Sequence, residues 1–246
     1  MKYKFAHFAD VHWRGLTRHK EYQRAFEDAF ATLRSENVDA IFIAGDIVHS
    51  KTQGISPELI DNLCWWFREM SEIAPVYVTL GNHDGLIMNK DREDAISPII
   101  RALDIPSIIL SKYTETININ DEICMTNFSC FDEEAWPEAK PKRGKINIGL
   151  FHGAVTGSKT DINWELDGEV DEVFFKGFDF VFLGDIHKHQ YLDAEERIAY
   201  CGSTIQQNFG ETPNKGFMIW EIDSKDVYQS RHIEVLHDMP YVTVDW

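Results

Sequence analysis

Five short segments each place a histidine, aspartate or asparagine directly after an apolar run. They are Asp10-Val11-His12, Gly45-Asp46-Ile47-Val48-His49, Gly81-Asn82-His83-Asp84, Phe151-His152-Gly153 and Gly184-Asp185-Ile186-His187. Together they offer the carboxylates of Asp10, Asp46 and Asp185, the imidazoles of His12, His152 and His187, and the amide oxygen of Asn82. A mixed nitrogen and oxygen set without thiolate suits Mn²⁺, Fe or Zn²⁺ better than a structural zinc site. Two divalent cations roughly 3.5–4 Å apart repel each other and need an anionic bridge, which a carboxylate provides. A lone D-x-H is more often a turn aspartate beside a surface histidine. "GNHD" is more specific, and five such loops in series are hard to explain as satisfied polar groups.

For these loops to meet, each must leave a strand at one common edge. Ligand sites in open α/β sheets lie beyond the carboxyl ends of the strands. The pattern of apolar residues supplies those strands. Residues 3–9 read as the first strand, and "DAIFIA" (39–44) is a continuous apolar run typical of a strand covered on both faces. "PVYVTL" (75–80) leads into "GNHDG". Between them, Tyr22, Phe26, Ala29, Phe30 and Leu33 form one stripe of a helix over 19–36. Ser56-Pro57-Glu58 starts a second helix that runs to about residue 70, and a third is expected over 92–103. Short strands are expected afterwards at 107–110, 116–119, 123–128, 146–151, 178–183, 198–201, 217–222 and 232–235, with a loop over 132–144. The fold class is therefore α/β, a sandwich of sheets flanked by helices.

The bulk numbers limit the classes of function. The chain has 246 residues, 43% hydrophobic, and a net charge of −17. That charge opposes long-range attraction to nucleic acid, although bound divalent cations would offset part of it. Basic residues cluster at 13–24 ("WRGLTRHKEYQR") and at 140–145 ("KPKRGK"). No apolar run approaches the roughly 18 residues that a membrane helix needs. "MKYKFAHFAD" does not read as a signal peptide. Cys64, Cys124, Cys130 and Cys201 are scattered, which fits a reducing cytoplasm.

The order D-x-H, G-D-x-x-H, G-N-H-D, H and G-x-x-H resembles the calcineurin-like metallophosphoesterases. His49 in the second motif and the tail "YCGSTIQQNFGE" (200–211) look more specifically like SbcD-type DNA repair nucleases, including phage versions. The resemblance implies a four-layer α/β/β/α sandwich with two mixed sheets and a dimetal site at the strand carboxyl ends. It places a nuclease domain at residues 1–235 and the start of a capping-domain extension at 236–246, truncated or minimal in this chain. Asp10, His12 and His187 would hold one metal, Asn82, His152 and Asp185 the other, with Asp46 bridging. His83 corresponds to the family's catalytic histidine, which protonates the leaving oxygen, and His49 to a second histidine linked to handling DNA ends. The family's last motif is usually G-H-x-H, so Asp185 stands where a histidine is expected. A carboxylate there favours a harder ion such as Mn²⁺, and His189 is expected to be a bystander.

The activity so implied is that of a dimetal-dependent DNA exonuclease, with endonuclease activity left open, that hydrolyses phosphodiesters through a metal-activated water. Its implied partners are DNA, a coiled-coil SMC-like ATPase and a second copy of the chain, and its implied location is the cytoplasm. Such nucleases dimerise through helices near "SPELIDNLCWWFREM" (56–70), where Leu59, Leu63, Trp66 and Met70 form one face. The bland alternative is that this helix is buried within its own chain. Two other functions stay open: a phosphatase or phosphodiesterase acting on a small phosphoester, and a non-catalytic scaffold. The "GDIVHS" and "GNHD" segments depart from the G-D-x-x-D-R-G and G-N-H-E of protein phosphatases. A scaffold would have no need of Asp46, Asn82 and His83.

Overall fold

A computed structural model describes residues 2–50, 54–236, 238–242 and 244. The chain opens with β1 (Tyr3–Phe8), α1 (His19–Glu36), β2 (Ala40–Ala44), α2 (Pro57–Ile73), β3 (Val76–Thr79), α3 (Ser97–Leu103) and β4 (Ile108–Ser111). It continues through β5 (Glu115–Asn118), β6 (Ile123–Phe128), β7 (Ile146–His152), β8 (Phe180–Gly184), β9 (Gln190–Tyr191), β10 (Ile198–Tyr200), β11 (Gly216–Ile222) and β12 (Tyr228–Glu234). The strands form two six-stranded mixed sheets, ordered β12-β11-β1-β2-β3-β4 and β5-β6-β7-β8-β10-β9. β1 to β4 run parallel, as do β6, β7, β8 and β10.

Strand alternation divides the apolar residues between two packing layers. In β1, Ala6 and Phe8 face the helices, while Phe5 faces the second sheet. Phe42, Met125, Ile148, Phe182 and Trp220 fill the space between the sheets. The stripe expected on α1 is buried against the first sheet, together with Ala25. Ser56 caps α2 by accepting the Leu59 N–H, and Pro57 takes the first turn, where its missing donor costs nothing. The apolar excess of α2 is used inside the chain: Leu63, Trp66, Phe67 and Met70 are fully covered, and Trp65 packs edge-on against Phe30.

The expected sandwich of two sheets is the observed one. Its outermost layer is short, built from two 3₁₀ segments, Glu133–Glu138 and Glu172–Phe175, over Phe128, Phe151 and Tyr200. The third helix begins at Ser97 rather than 92, with Pro98 in its first turn. Asp94 instead accepts the Ile96 and Ser97 N–H groups. β12 is longer than expected and β9 was not anticipated. Of the segment 236–246, residues 237, 243, 245 and 246 lie outside the described residues. The described ones form no strand, and Tyr241 packs against Phe209 and Arg18.

Candidate metal centre

The five loops converge where the carboxyl edges of the two sheets meet. β1 delivers Asp10 and His12, β2 Asp46 and His49, β3 Asn82 and His83, β7 His152, and β8 Asp185 and His187. Hydrogen bonds between loops fix their heights: the Asp10 N–H donates to Gly45 O (3.1 Å) and the His12 N–H to Asp46 O (2.9 Å). Across the sheets, His152 Nδ1–H donates to Ala44 O at 2.7 Å, and the Asp185 N–H donates to the Asp10 carboxylate at 3.1 Å. Asp10, His12, Asp46 and Asp185 all adopt positive φ, between 51° and 95°. Left-handed backbone of this kind is costly for non-glycine residues and clusters at functional sites.

Donor atoms of Asp10, His12 and His187 gather within 4.8 Å of one another, as do those of Asp10, Asp46 and His152. The two oxygens of Asp46 face different histidines, His12 Nε2 at 3.6 Å and His152 Nε2 at 3.3 Å. That is the geometry a bridging carboxylate requires. His12 Nε2 and His187 Nε2 lie 2.9 Å apart. His152 Nε2 is buried without a hydrogen-bond partner, because its Nδ1–H is committed to Ala44. Asp185 stands at the rim, 3.9 Å from His152 Nε2 and 27% exposed. Asn82 is half-buried at the turn between Gly81 and His83.

The electrostatics fit bound cations. Burial pushes the Asp10 carboxyl up to about 7, and Asp46 and Asp185 add to that repulsion. Burial also opposes charge on His152, but Asp46, Asp10 and Asp185 outweigh it and drive its pKa upward. A divalent cation among these carboxylates would take the place of those protons. The donor chemistry, the orphaned His152 nitrogen and the split Asp46 carboxylate all fit two such ions.

Several functional side chains carried no role in the sequence reading. Asp84, fully buried, accepts N–H groups from Ile47 (2.9 Å), Val48 (3.0 Å) and Gly81 (2.8 Å), tying the second loop to the third. Glu211 accepts His187 Nδ1–H at 2.7 Å and so turns Nε2 toward His12. Burial pulls the Glu211 pKa upward, but His187 and Lys215 prevail and hold it at about 2. Arg14 donates to His49 Nε2 at 2.7 Å and to Gln207. Burial and that guanidinium lower His49 to about 4, so it stands as a neutral acceptor. The "GNHD" and "QQNFGE" segments contained Asp84 and Glu211 as letters, but only contact reveals what they hold.

His83 also stands with His12 and His49, the donor atoms of the three lying within 4.8 Å of one another. Its backbone N–H donates to Asp46 Oδ1 at 2.8 Å, and its Nδ1–H donates to His49 O at 2.5 Å, which leaves Nε2 as its remaining nitrogen. With Arg14, His49, Asp46, Asp185 and His187 it lines an open cleft of about 370 Å³. His189 turns away. Its Nδ1–H donates to Tyr200 O, and its ring stacks on His232 at 4.5 Å. The basic loop 140–145 enters β7 at its amino end, roughly 20 Å from His152 by strand length.

A metal-ligating cluster at the shared edge of two mixed sheets is the hallmark of metal-dependent phosphoester hydrolases. The profile of the calcineurin-like phosphoesterases matches residues 3–189, and the chain belongs to that family. "Uncharacterized protein R555" of Acanthamoeba polyphaga mimivirus is 37% identical over 97% of this chain and 18% of its own length. "DNA double-strand break repair protein Mre11" of Archaeoglobus fulgidus is 36% identical over 85% of this chain and 51% of its own. The chain spans 18%, 60% and 62% of the first curated relatives it matches. Among solved structures, a dimetal phosphatase from Danio rerio superposes with a TM-score of 0.52 at 12% identity, covering 95% of this chain and 98% of that one. At that identity the likeness speaks to the fold alone. Among the described residues, no helix is long and apolar enough to cross a membrane.

Proposed function

We propose that this chain is an SbcD-type DNA nuclease domain, an exonuclease that works with Mn²⁺. Asp10, His12 and His187 would hold one ion and Asn82, His152 and Asp185 the other, bridged by Asp46. The observation that carries the reading is the open cleft in which His83, His49 and Arg14 face that cluster. The 36% identity to an Mre11 protein supports nucleic acid as the substrate. When bound, the ions acidify a water and polarise the phosphoryl oxygens. The chain's own groups do the rest. His83, oriented through Nδ1, would protonate the leaving oxygen from Nε2–H in its imidazolium form, which leaves Nε2 with the lone pair afterwards. Arg14, held by His49 and Gln207, adds positive charge beside the phosphate in an otherwise acidic molecule.

A coiled-coil SMC-like ATPase, a second copy of the chain and a cytoplasmic setting belong to the same proposal. Ile60, 41% exposed on α2, is the apolar group available there for a homodimer. Ile60→Glu is expected to lower the mass in solution if that contact forms.

The deciding experiment is a Mn²⁺-dependent assay on linear and hairpin DNA, run beside His83→Ala and a small phosphodiester. DNA cleavage by the wild type and its loss in the variant are expected. Turnover of the small ester with no DNA cleavage, even with an ATPase partner present, would make the chain a small-molecule phosphodiesterase. Metal binding without hydrolysis of either substrate would make it a scaffold.

A further inference from the structure

Beside the metal cleft lies a second cavity of about 550 Å³ that shares Asp185, His187 and Asn208 with it. Its far wall is formed by Ile162 and Trp164, which are 75% and 68% exposed. A tryptophan and an isoleucine in water are a cost that the fold does not require. Nor are they on a loose loop. The backbone closes a tight turn through Thr160 N–H to Trp164 O (3.0 Å) and Asn163 N–H to Thr160 O (2.8 Å). The turn is fastened to the metal cluster through Asp161. Its carboxylate meets the buried Lys215 ammonium at 3.1 Å, and the same ammonium donates to His187 O at 2.7 Å. Thr212 donates to Asp161 as well, through both its N–H and its hydroxyl. The position of Trp164 is thereby tied to that of a ligand histidine.

The chemistry of the cavity selects its occupant. No lysine or arginine lines it, whereas Asp161, Asp185 and Glu211 do. A phosphate would be repelled, so the cavity suits an uncharged, flat group attached to a phosphate held next door. We propose that Trp164, backed by Ile162, is the stacking platform for the nucleobase adjoining the phosphoester at the metal cluster. This rests on the reading that the substrate is nucleic acid. Base stacking on an aromatic side chain is sequence-tolerant, because every base has a π face.

The test compares Trp164, Trp164→Ala and Trp164→Phe in the Mn²⁺-loaded full chain, each in a His83→Ala background so that the ligand is bound without being cleaved. Binding of a labelled tetranucleotide and of its abasic analogue is followed by fluorescence anisotropy. Trp164→Ala is expected to weaken the base-bearing ligand roughly ten- to hundredfold and to narrow its advantage over the abasic one. Trp164→Phe should restore most of that advantage. Equal losses on both ligands would reduce Trp164 to a structural role, and no loss on either would remove it from the site. Both results overturn the proposal while leaving DNA cleavage, and so the nuclease reading, standing. A Trp164-dependent preference for bases in a chain that cleaves no DNA would keep the subsite and remove the nuclease reading.

Discussion

The candidate ligand histidines owe their orientation to groups behind them. His187 is aimed by Glu211 and His152 by the Ala44 carbonyl, each through Nδ1–H, so that Nε2 carries the free lone pair. Glu211→Gln keeps the shape but weakens the acceptor, and is expected to lower Mn²⁺ affinity about 10- to 100-fold in calorimetric titration. His83→Ala should reduce turnover on DNA by roughly 10²–10⁴ with little change in metal affinity, since in the proposed reaction its Nε2 serves proton transfer. Asp185 and His189 can be separated in the same way. His189 is bonded to Tyr200 and stacked on His232, so His189→Ala should cost far less metal affinity than His187→Ala. Asp185→His restores the residue usual in the family and should shift metal preference while keeping hydrolysis.

At the scale of elements, the site depends on how closely the strand ends approach one another. A β-carbon on Gly45 (φ 85°) would collide with the His152 ring, and one on Gly81 with Asp46 and His152. Both glycines stand where one loop passes close to another. Asp84 is the clearest case. It satisfies three N–H groups from two loops, so Asp84→Ala should destabilise the fold by about 3 kcal/mol in urea unfolding with metal chelated. α1 and α2 were legible because their apolar residues recur at helical spacing and Ser56-Pro57 marks a start. α3 was misread over 92–96, where side-chain acceptors on Asp94 replace helical bonds ahead of Pro98.

Across the whole molecule, the two sheets are joined by polar contacts as well as by their shared core. His7 is fully buried, stacks on Phe182 at 4.9 Å and donates Nε2–H to Leu183 O across the interface. Burial lowers its pKa to about 3, so the folded ring stays neutral while an unfolded one takes up a proton below about 6.5. The unfolded state therefore binds more protons between pH 6.5 and 3, and stability must fall as pH falls through that window. His7 alone is expected to remove roughly 1.5–2 kcal/mol between pH 6.5 and 5. Urea midpoints for wild type and His7→Phe should show a flatter acid limb in the variant.

The sequence by itself determined most of the strands, the two long helices and the five polar loops, because spacing along the chain sets which residues share a face. It also supplied the donor chemistry, because ligand type is a property of each side chain alone. Only the tertiary structure decided that Asp46 turns one oxygen to each of two histidines, that Glu211 stands behind His187, and that Arg14 holds His49 neutral. Those pairs are far apart in sequence, His187 and Glu211 by 24 positions and Arg14 and His49 by 35. No local pattern encodes such distances. They are set when two sheets pack at a fixed separation and their carboxyl ends come to one edge.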